Sequence, residues 1–181
     1  MAYQYLALLR GVNVGGKNKL PMKDLAAMFL AAGCRDARTF IQSGNVLFNA
    51  PAKVAKQISR AVPEEIEKRF GHRPPFVIRT ADQLALVAAN NPFLQAGADA
   101  DKAHVMFLAD TPDAARVKGL DPLRSAPDAF AVSGADIYLY LPNGIADTKL
   151  TNAYFDSRLA TVSTGRNWRT VTTLLQMMRT D

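Results

Sequence analysis

Apolar residues along this chain alternate between strand-like runs and helix-like stripes, and the alternation follows a repeated order. Tyr3 to Leu9 is a short apolar run closed by a Gly-rich stretch, which predicts a strand. The loop Arg10-Gly-Val-Asn-Val-Gly-Gly-Lys-Asn-Lys19 follows. Pro21 then opens a helix, where its missing N–H costs nothing. Met22, Leu25, Met28, Phe29 and Ala32 fall at helical spacing, and Gly33 stops them. Thr39 to Phe48 holds two β-rich runs around Ser43-Gly44-Asn45, a hairpin. Val54, Ile58, Val62, Ile66 and Phe70 form the stripe of a second helix, which Pro63 is expected to kink or divide. Gly71 ends it, and Pro75 to Arg79 reads as a fourth strand. The order is β-α-β-β-α-β.

The second half repeats the order β-α-β-β-α more weakly, without visible residue-level self-similarity. Thr80-Ala-Asp-Gln83 is a capping box opening a short helix. The stretch from Asn90-Asn91-Pro92 to Asp99 is the best boundary between halves. Val105 to Leu108 reads as a strand and Thr111 to Leu120 as a helix. Phe130–Val132 and Ile137–Leu141 flank Gly134-Ala135-Asp136 as a second hairpin. Leu150 to Leu159 is helical. Trp168, Val171, Leu174, Leu175 and Met178 make a closing helix capped by Asn167, with Trp168 as its core anchor. The fold expected is α+β: a ferredoxin-like unit in residues 1–80, and a second α+β half in 81–181 that is ferredoxin-like in outline.

A ferredoxin-like order has a consequence for placement. A helix crosses between strands one and two, so these run the same way. The Arg10–Lys19 loop, the hairpin turn and the end of the second helix therefore meet at one end of the sheet. That edge gathers Arg10, Lys17, Lys19, Lys68, Arg69 and Arg73, with Asn13, Asn18, Gln42, Ser43 and Asn45. The backbone at Gly15 and Gly16 is free to turn its N–H groups toward a ligand, and a helix N-terminus follows. Such an edge suits phosphate or carboxylate. The plain structural alternative is a tight loop whose glycines only make a turn and whose amides only bond backbone.

Charge sharpens the picture. The net charge is +6. Residues 1–90 carry 13 Lys+Arg against 6 Asp+Glu, and residues 91–181 carry 9 against 10. The whole excess lies in the first half and suggests an anionic partner such as phosphate, nucleotide or nucleic acid; the plain alternative is a solvated basic surface. Apolar runs are too short for a membrane helix, there is no signal-peptide pattern, and the single cysteine excludes an internal disulfide. The expected compartment is the cytoplasm.

Arg10-Gly-Val-Asn-Val-Gly-Gly-Lys-Asn18 with Met22 and Leu25, Thr39-Phe-Ile-Gln-Ser-Gly-Asn-Val-Leu-Phe48, and Thr164-Gly-Arg-Asn-Trp-Arg-Thr170 together resemble the signature of the bacterial domain-of-unknown-function family 1697 (DUF1697). The resemblance implies a fold. It implies no activity, cofactor or catalytic residue.

Other chemistries fit less well. Gly11 to Lys17 matches G-x-x-x-x-G-K, but Asn18 stands where a P-loop needs Ser or Thr for Mg²⁺, and Pro21 starts the helix late. His72, His104 and Cys34 form no closely spaced metal-ligand set. Ser43 lacks a nucleophile elbow, and Cys34 at a helix end is expected to be inert. Asn45-Val-Leu-Phe48 is not an RNA-recognition signature. Thr164 to Asn167 reads as a helix N-terminus, either a second anion site with Arg166 or merely a cap. The function expected is binding of a phosphate-bearing or other anionic small ligand at Arg10, Asn13, Gly15, Gly16, Lys17, Asn18, Gln42, Ser43 and Asn45. The alternative is a nonspecific nucleic-acid-binding module.

Overall fold

Four runs of the N-terminal half become one antiparallel sheet in the computed structural model, which describes residues 3–179. They are β1 (Tyr5–Leu9), β2 (Asp36–Phe40), β3 (Asn45–Asn49) and β4 (Phe76–Thr80), in the order β2-β3-β1-β4. The strand first in sequence is central, between the strands carrying Val46 and Val77. Helices α1 (Met22–Ala31) and α2 (Ala52–Phe70) supply the crossovers. Leu25, Met28 and Phe29 of α1 and Ala55, Ile58, Val62 and Ile66 of α2 bury one stripe each. Together with Ala7, Leu9, Val46 and Phe48 they form the core. Phe29 packs on Phe48 and Phe76 with ring centroids 5.2 and 6.1 Å apart. Pro63 does not divide α2: the helix continues through it with the ring buried, and Gly71 ends it at φ +76°.

The second half builds the same arrangement. Capping-box bonds open α3 (Ala81–Ala89): the Thr80 N–H donates to Gln83 Oε1 at 2.9 Å, and the Gln83 N–H to Thr80 Oγ1 at 3.2 Å. The stretch after Asn90 is not a bare linker: Asn91, 2% exposed, caps a short helix α4 (Pro92–Gln95). Then come β5 (Ala103–Leu108), α5 (Ala114–Lys118), β6 (Ala129–Ser133), β7 (Asp136–Tyr140), α6 (Asn152–Leu159), β8 (Ser163–Asn167) and α7 (Trp168–Arg179). Their sheet order, β6-β7-β5-β8, repeats that of the first sheet. Both halves are therefore ferredoxin-like βαββαβ units. One compact unit takes the chain up to Leu84 and again from Leu174; the other is Ala85–Thr173.

Three expectations change here. Thr164–Asn167 is not a helix N-terminus but edge strand β8, paired with β5 from His104↔Asn167 to Leu108↔Ser163. Asn167, its last residue, still caps α7, its Oδ1 accepting the Thr170 N–H at 2.8 Å. Trp168 is only half-buried, whereas Val171, Leu174, Leu175 and Met178 are the buried side chains of α7. Helix α5 is five residues, much shorter than its pattern.

Candidate functional site

The Arg10–Lys19 loop owes its shape to apolar anchors and asparagine side chains. Val12 and Leu20 are 2% and 1% exposed and belong to the core, so the chain between them stands as a loop held at both feet. The Asn13 N–H donates to Asn18 O at 3.1 Å and the Lys17 N–H to Val14 O at 3.0 Å. Between those two bonds, Gly15 and Gly16 have φ +56° and +75°. Positive φ at both central residues is the signature of a two-residue hairpin turn, and glycine adopts it without steric cost. Asn13 and Asn18, at φ +56° and +51°, occupy the left-handed region that asparagine tolerates better than most residues.

The loop meets the hairpin turn directly. The Asn13 side-chain amide donates to Leu20 O at 2.9 Å and to Gln42 O at 3.0 Å, while its Oδ1 accepts the Leu20 N–H at 2.8 Å. At the root, the Leu9 N–H donates to Gly44 O at 2.9 Å and the Arg10 N–H to Pro75 O at 3.0 Å. A Cβ on Gly44 would lie 2.7 Å from Leu9 Cβ and 2.8 Å from Val12 Cγ2, so this approach requires glycine. The structure thus brings the loop, the turn and the start of β4 to one end of the sheet.

The side chains divide into two groups. Asn13, Asn18 and Asn45 brace the backbone: Asn18 Nδ2 donates to Gly11 O at 2.9 Å, and fully buried Asn45 donates to Phe40 O at 3.2 Å and Ser43 Oγ at 2.9 Å. Gly15, Gly16, Lys17, Lys19 and Gln42 are exposed. Among the described residues no hydrogen bond engages the Gly15 or Gly16 N–H, and no acid pairs with Lys17, Lys19 or Lys68. Two cations expected at this edge are already matched. Arg73 pairs with Glu64 at 3.4 Å and Glu67 at 3.2 Å, and Arg69 lies 3.8 Å from Asp24. Arg60, and then Arg73, hold the Glu64 carboxyl below its usual range. Helix α1 starts directly behind the loop without a side-chain cap, leaving the positive end of its dipole to this edge.

Ile41 was missed by sequence reasoning. It sits in the same turn at φ +50° and is 51% exposed. A β-branched residue in that conformation is a strained outlier of the kind that gathers at functional sites. Val14, at the loop tip, is 65% exposed. No local pattern signals either, because both read as ordinary strand-forming residues.

Among the described residues no group of three or more His, Cys, Asp or Glu could hold a metal ion. No helix among them is long and apolar enough to cross a membrane. Cys34 is buried and its thiol is pushed up to about 11 by desolvation, so it is a poor nucleophile.

Comparison with known proteins agrees with this architecture. The family described as "Protein of unknown function (DUF1697)" matches residues 2–138. The chain belongs to that family. The match takes in the loop and turn motifs; the Thr164–Thr170 motif lies beyond it. Among solved structures, the conserved bacterial protein SP0830 from Streptococcus pneumoniae is similar with a TM-score of 0.72 and 21% identity, covering 99% of this chain and 100% of that one. At that identity the likeness speaks for the fold. No curated protein matches.

Proposed function

We propose that the Arg10–Lys19 edge of the N-terminal unit binds a phosphate-bearing or other anionic small ligand. One observation carries this reading: a loop braced by its own asparagines exposes the N–H groups of Gly15 and Gly16 and the side chain of Lys17, none of which has a partner among the described residues. Bracing matters energetically, because ordering a loop on binding would consume the affinity that a few charged hydrogen bonds supply. Gln42 and Ser43 are supplied by the turn that Asn13 holds against the loop. Residence in the cytoplasm is part of the same proposal, and the single buried cysteine supports it.

A thermal-shift screen of nucleotides, sugar phosphates and carboxylates tests it. A hit should lose about 1–3 kcal/mol of binding in Lys17→Ala, the worth of a charge-assisted hydrogen bond. The unfolding midpoint of the free protein should stay unchanged, since an exposed lysine contributes little to folding. Equal affinity in wild type and variant would remove the edge from consideration.

Exposure of residues 14–19 favours a second reading, nonspecific binding of nucleic acid along the basic half. Small ligands normally bury most of their surface, whereas a polyanion gains affinity by adding exposed contacts. A short single-stranded oligonucleotide whose affinity falls steeply with salt, while mononucleotides do not bind, would select this reading.

A further inference from the structure

The C-terminal unit carries a cavity whose lining shares no residue with the site above. Residues 119–128, between α5 and β6, and residues 141–151, between β7 and α6, form two loops of ten and eleven residues. Connections of four to six residues are the norm, and longer ordered ones commonly carry function. Here they border a half-open cavity of about 350 Å³ lined by Arg124, Ser125, Asp128, Asn143, Thr148 and Lys149 among others. That volume suits a small molecule.

The cavity is held open by bonds between its two loops. Ser125 Oγ accepts the Lys149 N–H at 2.9 Å and donates to Asp128 Oδ2 at 2.8 Å. Arg124 Nε donates to Lys149 O at 3.1 Å, and its guanidinium lies 4.1 Å above the Tyr154 ring. Tyr154 Oη in turn accepts the Asp121 N–H at 3.0 Å. The walls are therefore in place before any ligand arrives.

Asp128 is the unusual group. It is 8% exposed, and the Ser125 hydroxyl is its one side-chain partner among the described residues. No lysine or arginine among them pairs with it, and its Oδ1 receives no hydrogen bond. Its Oδ1 still reaches solvent, since it is not one of the buried side-chain atoms that lack a partner among the described residues, and a ligand's donor can meet it there. Lys149 on the same lining is exposed and has no acidic partner among the described residues, and exposed Asp147 and Arg124 line the cavity as well. Two acids and two bases around one cavity favour a ligand that is itself neutral overall but carries both charges. Leu123, 76% exposed and on the same lining, offers apolar surface for the remainder of such a molecule.

We propose that this cavity binds a small zwitterion, with an ammonium group against Asp128 and an acidic group against Lys149. The ligand class is that of free amino acids and very short peptides.

Calorimetric titration of the full chain with the protein amino acids and a set of dipeptides tests this, each compound paired with its N-acetylated form and its C-terminal amide. At least one free compound should bind, its N-acetylated form about tenfold more weakly or worse, because acetylation removes the ammonium. Asp128→Asn should reproduce that loss. Lys149→Met should weaken the free acid but leave the amide unchanged; Lys149 is exposed, so this variant keeps the fold even if Asp128→Asn does not. Absence of binding by every compound at millimolar concentration overturns the proposal. So does equal affinity of free and acetylated forms, or an undiminished affinity of the free acid in Lys149→Met.

Discussion

The two units share a strand order and differ in where the chain is long. Between first strand and first helix, the N-terminal unit has twelve residues, 10–21, and the C-terminal unit five, 109–113. At the other end of the sheet the imbalance reverses: four residues, 32–35, against ten, 119–128, and two, 50–51, against eleven, 141–151. Where the first strand ends, two backbone bonds correspond in the two units. Leu9 and Arg10 donate to Gly44 and Pro75 at 2.9 and 3.0 Å; Leu108 and Ala109 donate to Ala135 and Val162, both at 2.8 Å. Arg79 and Arg166 hold the fourth position of β4 and β8, and each Nη1 donates to the preceding carbonyl, Ile78 O at 3.0 Å and Gly165 O at 2.7 Å. Backbone groups at strand ends must be paired in any ferredoxin-like unit, so these positions correspond. Loops carry no such obligation, and each unit has spent its extra residues at the opposite end from the other.

The largest test of this correspondence lies in the cores. Phe29→Ala and Phe155→Ala remove fully buried rings, one in each unit, and each should cost about 3–5 kcal/mol in urea unfolding. A cost near zero in either would mean that its unit collapses around the vacancy and is not the equal of the other. The turns come next. Gly44→Ala meets both a left-handed backbone and a Cβ clash, for roughly 2–4 kcal/mol. Gly134→Ala meets only the backbone term, about 1 kcal/mol, because nothing lies within 4 Å of its added Cβ. Equal costs would show that the close approach of Leu9 and Val12 is not what demands glycine.

The smallest effect concerns pH. Burial lowers the pKa of His104 from its ordinary 6.5, partly opposed by the Lys102 backbone. Its folded form therefore favours the neutral ring. That stability is present above the ordinary imidazole value and is lost as pH falls below it. The register of β5 places His104 where β1 carries Tyr5. His104→Tyr should therefore flatten the decline of stability between pH 7 and 5. A decline as steep as in the wild type would assign the acid sensitivity to another group.

Much of the fold was legible because it is local. The stripes of α1 and α2, the Thr80–Gln83 capping box and the Asn167 cap each declare themselves within four residues, through side chains that meet their own backbone. The meeting of the Arg10–Lys19 loop with the Gln42–Asn45 turn also followed from element order, since a helical crossover dictates which strand ends coincide. What local pattern could not supply was the use of each polar group. Asn13, Asn18 and Asn45 read equally well as ligand-binding amides or as braces, and only the positions of Leu20, Gln42, Gly11 and Phe40 made them braces. Ser163–Asn167 has no hydrophobic alternation at all. It is a strand because the edge of β5 offers unpaired backbone groups, while Asp156 accepts both the N–H and the hydroxyl of fully buried Ser163, at 2.9 and 2.6 Å. Apolar spacing along the chain determined the helices and most strands. The polar strand, the braced loop and the cavity around Asp128 were decided by partners distant in sequence, because a buried hydrogen-bonding group is satisfied by whatever the fold brings beside it.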